Sequence, residues 1–242
     1  MERTLLQAVV YDTAMFRLRP RALPLLLLVA CAGTVTIPAN RYGLRVVPDL
    51  ATYERLARED PSKQLVDVAT LGIATDIRYA TPNNFMKQTL YSVAKAYLRA
   101  PAATALADAN RELAARGLAL KVFDAYRPYA ITERMWEPIR NPDFVADPAK
   151  GSRHNRGAAV DLTLIDSAGV ELPMPTPYDD FTQRARHDFN DLPADALANR
   201  ALLREVMTRH GFEPLPSEWW HYDFKGWERF ELMNVDLGML RR

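Results

Sequence analysis

The order of elements in this chain predicts an α+β fold: one domain with a mainly antiparallel central sheet flanked by helices. Three observations carry that expectation. Strand-like segments are joined by a hairpin connection, helical segments stand apart from the strands, and no glycine-rich phosphate loop links a strand to a helix as in a doubly wound sheet.

Ser92 to Arg116 reads as helical, interrupted before Pro101 and ended by Gly117, because proline lacks the amide a helix interior needs. Leu118 to Ala125 follows as a strand. After the Tyr126-Arg-Pro turn, Ile131 to Arg140 is a short helix. Ala158 to Ile165 alternates apolar and polar residues like a half-buried strand and is expected to pair with Val170 to Met174 across Asp166–Gly169. Asp195 to His210 carries Leu203, Val206 and Met207 on one face, as an amphipathic helix does. His210 closes it before Gly211, where a cation suits the helix dipole. The aromatic segment SEWWHYDF, around Glu218 and His221, reads as strand or strand end, with ordinary core packing expected for at least one of Trp219 and Trp220.

The chain has 242 residues and 48% hydrophobic content, with 31 basic against 30 acidic residues. Arg17 to Arg21 is basic and Ala22 to Ala30 is apolar, too short to span a bilayer but suited to a secretory signal. Leu28 to Cys31 resembles a bacterial lipobox, which implies lipidation of Cys31, the sole cysteine. We therefore divide the chain into a leader, 1–31, a tether, 32–48, and one domain, 49–242, large enough for its own core. Removing residues 1–30 takes away four Arg and two acidic residues, leaving 27 basic against 28 acidic. Nothing in that balance suggests nucleic acid. The expected setting is the periplasm or cell envelope, with membrane contact only through the lipid anchor.

The chemistry is concentrated in two segments. SRHNRGAAVDL holds His154 and Asp161, and SEWWHYDF holds Glu218 and His221. Two imidazoles, a ligand carboxylate and a spare carboxylate form the inventory of a catalytic zinc site, which leaves a position open to water and needs a base nearby. A lone His154 would read as an ordinary hydrogen-bonded histidine. Its glycine-flanked loop leads into a strand with Asp161 in the middle, where an unpaired carboxylate is costly to bury and calls for a metal or cation. Residues three apart on a straight strand point to opposite faces, so Glu218 and His221 can share a site only if the chain bends between them. His187 and His210 read as non-ligands.

SRHNRGAAVDL followed downstream by EWWHYDF resembles the D-alanyl-D-alanine dipeptidases, zinc peptidases related to D-Ala-D-Ala carboxypeptidases and sharing a fold with the hedgehog signalling domain. Asp76 to Phe85, Val122 to Ala130 and Met174 to Phe181 resemble further segments of that family in the same order. The resemblance implies one Zn2+ per chain on His154, Asp161 and His221, with Glu218 as general base and acid and Arg127 stabilising the transition state. It further implies Tyr79 and Asp179 at the amino end of a small D-amino-acid dipeptide, with Ser152 at its carboxylate end. Asp180 adjoins Asp179, so that assignment could slip by one. Two other readings stand beside the dipeptidase: a carboxypeptidase or endopeptidase acting on peptidoglycan stem peptides, and a non-catalytic zinc-binding module.

Overall fold

The computed structural model describes residues 36–142 and 144–240. The leader 1–31, including Cys31, lies outside the described residues. Within the stretch expected as a tether, Val46–Val47 form strand β1, which pairs in parallel with β9, Leu232–Met233. Burial of Val46 against Leu232 and Tyr129 gives this strand an apolar reason to dock.

Helix α1, Leu50–Glu59, begins at Asp49, whose carboxylate accepts from the Thr52 amide at 2.8 Å. This satisfies one of the orphan donors of the first turn. Strand β2, Leu65–Asp67, leads on to the short β3, Ala74–Thr75. The helix expected over Ser92 to Arg116 is shorter. Tyr97–Arg99 is strand β4, antiparallel to β2, and α2 spans Ala100–Ala114. Pro101 sits in the first turn of α2 and starts the helix where it was expected to interrupt one, since its missing amide and fixed φ suit an N-terminus.

The central sheet is built on β5, Leu118–Asp124, and β6, Ala159–Asp166, with helix α3, Tyr129–Ile139, between them in sequence. Helix α4, Ala194–Arg209, then leads into β7, Phe212–Pro214, and β8, His221–Phe224. The five strands run in the order β3-β5-β6-β8-β7, with β3 parallel to β5 and the remaining pairs antiparallel. The fold is thus α+β with a mainly antiparallel sheet. Val170 to Met174 forms no regular strand but meets the end of β6 through an Ile165–Glu171 bridge, an Asp166 amide donating to Val170 O at 2.9 Å and a Leu172 amide donating to Leu164 O at 3.0 Å. SEWWHYDF is a strand only from His221 onward, and Glu218 to Trp220 turn before it. The expected bend is there, and both tryptophans are buried.

The β5–β6 register shifts between Val122 and Asp124, and beyond the shift Asp161 lies between Asp124 on β5 and His221 on β8. Cross-strand neighbours share a face, so three polar side chains converge in an otherwise apolar core. The loop before β6 turns at Gly157, which adopts φ +67° and lies so close to Leu65 that a Cβ there would meet Leu65 Cδ2 at 2.8 Å. Only glycine suits both the left-handed backbone and the contact.

Candidate active site

His154 and Asp161 reach the site from the loop before β6 and from β6 itself, and His221 from the first residue of β8. His154 Nε2 lies 3.2 Å from His221 Nδ1 and 3.4 Å from Asp161 Oδ1, and His221 Nδ1 lies 3.0 Å from Asp161 Oδ1. A tetrahedral zinc with bonds of about 2.0–2.1 Å has ligand–ligand edges of roughly 3.3–3.4 Å, so this triangle fits the ion closely. The hydrogen bonds behind the triangle also agree. His154 Nδ1 donates to Ala125 O at 2.7 Å and His221 Nε2 donates to Asp223 Oδ1 at 3.0 Å. His154 therefore turns an unprotonated Nε2 toward the centre, whereas His221 presents an Nδ1 that must release its proton before it can hold a cation. Burial works against the charge of Asp161, but His154 and His221 outweigh it and hold the carboxyl well below the usual range. Its second oxygen accepts from Tyr178 OH at 2.9 Å. Burial works against protonation of His221 as well, yet Asp223 and Asp161 raise its pKa well above the ordinary imidazole value.

The turn before β8 brings Glu218 in beside this cluster, its Oε2 4.0 Å from His221 Nδ1. Burial pushes its carboxyl up to about 8, against the pull of His221. The turn is clamped from outside, because Trp219 N donates to Ala185 O at 2.9 Å and His187 N to Pro216 O at 3.0 Å. Arg200 in turn pins that clamp by donating to Arg186 O and Phe189 O at 2.9 and 2.7 Å.

Arg127 lines the same cavity, of about 320 Å³, as His154, Asp161, Glu218 and His221. Its Nε and Nη2 donate to Asp124 Oδ2 at 3.1 and 2.7 Å, and Tyr91 OH donates to the other Asp124 oxygen at 2.6 Å. Burial disfavours the guanidinium charge, and Asp124 more than offsets it. The turn holding Arg127 is stitched to the ligand loop. Arg127 N donates to His154 O at 3.1 Å, and Asn155 Nδ2 donates to Arg127 O at 2.9 Å.

Asp179 Oδ1 accepts from Tyr79 OH at 2.9 Å, and Oδ2 from Phe85 N at 3.3 Å. Its backbone is left-handed, φ +63°, a strained state that aspartate tolerates better than most residues. Burial raises its pKa to about 7. Asp180, the neighbouring candidate, accepts from Thr182 N at 2.9 Å and is absent from the cavity wall. Ser152 lines the cavity, its Oγ accepting from His154 N at 3.2 Å.

All eight expected site residues in the described part of the chain thus face one cavity. His187 and His210 do not. His210 Nε2 is 2.8 Å from Glu112, and the His187 ring packs edge-on to Tyr222. Sequence reasoning missed Asp223, Asp124 and Tyr178, which hydrogen-bond to His221, Arg127 and Asp161, and Tyr91, which donates to Asp124. Asp223 could have been found: two residues after His221 on a strand, it lies on the same face.

A family profile described as D-Ala-D-Ala dipeptidase matches residues 61–231. Over 162 residues the chain is 36% identical to the D-alanyl-D-alanine dipeptidase of Escherichia coli (strain K12), covering 66% of this chain and 84% of the relative. Over 180 residues it is 31% identical to the D-alanyl-D-alanine dipeptidase of Enterococcus faecium, covering 65% of this chain and 88% of the relative. Among solved structures, the LD-carboxypeptidase LdcB superposes with a TM-score of 0.41 at 19% identity, covering 80% of this chain and 86% of that one. The chain, matched by the profile over most of its length and carrying a buried His-Asp-His cluster, belongs to the D-Ala-D-Ala dipeptidase family of peptidases.

Proposed function

We propose that this protein hydrolyses the free dipeptide D-alanyl-D-alanine to two D-alanines in cell-wall metabolism, using one Zn2+ held by His154, Asp161 and His221. The observation that carries the reading is the convergence of that triangle with Glu218, Arg127 and Asp179 in one cavity of about 320 Å³. A purely structural metal site has no need of a buried base, which weighs against a non-catalytic module.

Zn2+ bound there would supply Lewis-acid polarisation of the scissile carbonyl and make a water acidic enough to lose its proton near neutral pH. Glu218 stands where it can take that proton, and burial gives it the affinity to hold the proton and pass it to the leaving amine. Arg127 is locked by Asp124 through Nε and Nη2, with its guanidinium on the cavity wall. From there it can donate to the oxyanion formed as the carbonyl is attacked. Tyr79 and Asp179 form the acceptor end for a substrate ammonium. A buried carboxyl with a pKa of about 7 is poised to ionise fully once a cation sits against it.

Substrate length tests the reading against a carboxypeptidase acting on stem peptides. D-Ala-D-Ala should be cleaved at least roughly a hundredfold better, in kcat/KM, than N-acylated D-Ala-D-Ala or a pentapeptide stem, because acylation removes the charge that Asp179 pairs with. Asp179→Ala should narrow the gap by harming the dipeptide more. Comparable rates on both substrates in the unmutated enzyme would favour the carboxypeptidase.

The cellular setting rests on the leader. Lipidation at Cys31 would hold the domain at the cell envelope, and Cys31→Ser should release the protein from membranes with catalysis intact, measured by fractionation and dipeptide turnover. Unmutated protein found wholly in the cytoplasm would sink that reading.

A further inference from the structure

Hydrolysing a free dipeptide requires holding a carboxylate on its second residue, and the cations around the cavity differ in how far they are already engaged. Arg127 is buried and bound twice to Asp124. Arg153 is not. It stands between Ser152 and His154 on the cavity wall, with its side chain 46% exposed. Its guanidinium carbon lies 4.8 Å from the centre of the Trp227 ring, and its Nε faces Asp223 Oδ2 at 3.5 Å. Neither Nη1 nor Nη2 has a hydrogen-bond partner among the described residues. A guanidinium seated on an indole and held by one edge has lost much of its freedom before any ligand arrives. Its two outer nitrogens keep the planar fork that matches a carboxylate.

We propose that Arg153 is a specificity-determining residue that binds the terminal carboxylate of the substrate beside Ser152, and so selects peptides whose second residue ends the chain. This rests on the dipeptidase reading above and deepens it. Asp179 would measure the substrate at its ammonium, and Arg153 at the opposite end, so that only a molecule carrying both charges at dipeptide spacing satisfies both. The competing role is indirect. Asp223 also accepts from His221 Nε2, so Arg153 could act only by steadying a metal ligand through that shared carboxylate.

A neutral substrate end separates the two roles. The experiment compares kcat and KM on D-Ala-D-Ala and on D-Ala-D-alaninamide for the zinc-loaded parent, Arg153→Ala and Arg153→Lys, with zinc content measured for each. For Arg153→Ala we expect kcat/KM on the acid to fall about 10- to 100-fold, mainly through KM, the worth of a charge-assisted hydrogen bond. The amide, which lacks the charge, should change by less than about threefold, and Arg153→Lys should recover part of the loss on the acid alone. Equal losses on both substrates, a loss accompanied by zinc depletion, or an unchanged acid-to-amide ratio would each overturn the assignment. A parent protein inert toward D-Ala-D-Ala would take down the dipeptidase reading and this one with it, an outcome distinct from an active parent whose ratio Arg153→Ala leaves unmoved.

Discussion

Glu218→Gln should lower kcat on D-Ala-D-Ala by about 10²- to 10⁴-fold while zinc content stays at the parent level, the range general acid and base catalysis supplies. Its carboxylate is 4.0 Å from His221 Nδ1 and outside the ligand triangle, so the amide should leave the metal in place. The amide is nearly isosteric with the acid it replaces and the side chain is mostly buried, so the turn before β8 should keep its form. What it loses is the capacity to take a proton. KM should change little, because the group is assigned no bond to the ground-state substrate. Zinc analysis beside steady-state kinetics decides the matter: a nearly fully active variant would place the base elsewhere, and one that loses its zinc would make Glu218 a ligand.

His154→Ala should lose both metal and activity. It removes one corner of a triangle whose edges are 3.0, 3.2 and 3.4 Å, and two remaining donors bind zinc far more weakly than three. The same physics makes metal retention depend on pH, with a definite sign. His221 lies between Asp161 and Asp223, which raise its pKa above the ordinary value, and it must give up a proton to bind a cation. Zinc should therefore be held at neutral to alkaline pH and released as the pH falls, and a chelator should inactivate the parent enzyme. Titration of bound zinc by dialysis against buffers of decreasing pH checks this. An active preparation free of zinc would overturn the ligand assignment.

The reliance of this site on register explains why its parts differ so much in how legible they are in the sequence. His154 and Asp161 stand within one loop and strand, and Glu218 and His221 within one turn, so each pair is recognisable from local spacing and residue type. Helix α4 is legible for the same kind of reason, since a buried stripe every three or four residues is a property of the segment alone. Pro101 is ambiguous, because a proline inside an apolar stretch looks the same whether it breaks a helix or begins one. The pairing of Tyr97–Arg99 with Leu65–Asp67 decides between the two.

What the sequence by itself determined, then, was the inventory: two imidazoles and a carboxylate of the types that bind a metal, a further glutamate beside them, an arginine in its turn, and the α+β order of elements. These follow from side-chain chemistry and short-range periodicity, which are written residue by residue. Only the tertiary structure decided which atoms face one another. The row Asp124, Asp161, His221 exists because β5 shifts register after Val122 and because β8 pairs with β6 across sixty residues of chain. Asp179, with a left-handed backbone, meets Tyr79, whereas the adjacent Asp180 accepts from the Thr182 amide. The supporting carboxylates Asp124 and Asp223 acquire their roles in the same way. A charged side chain becomes an orienting group only when folding removes it from water and sets a partner against it, and that partner is chosen by strand pairing and burial across the whole chain.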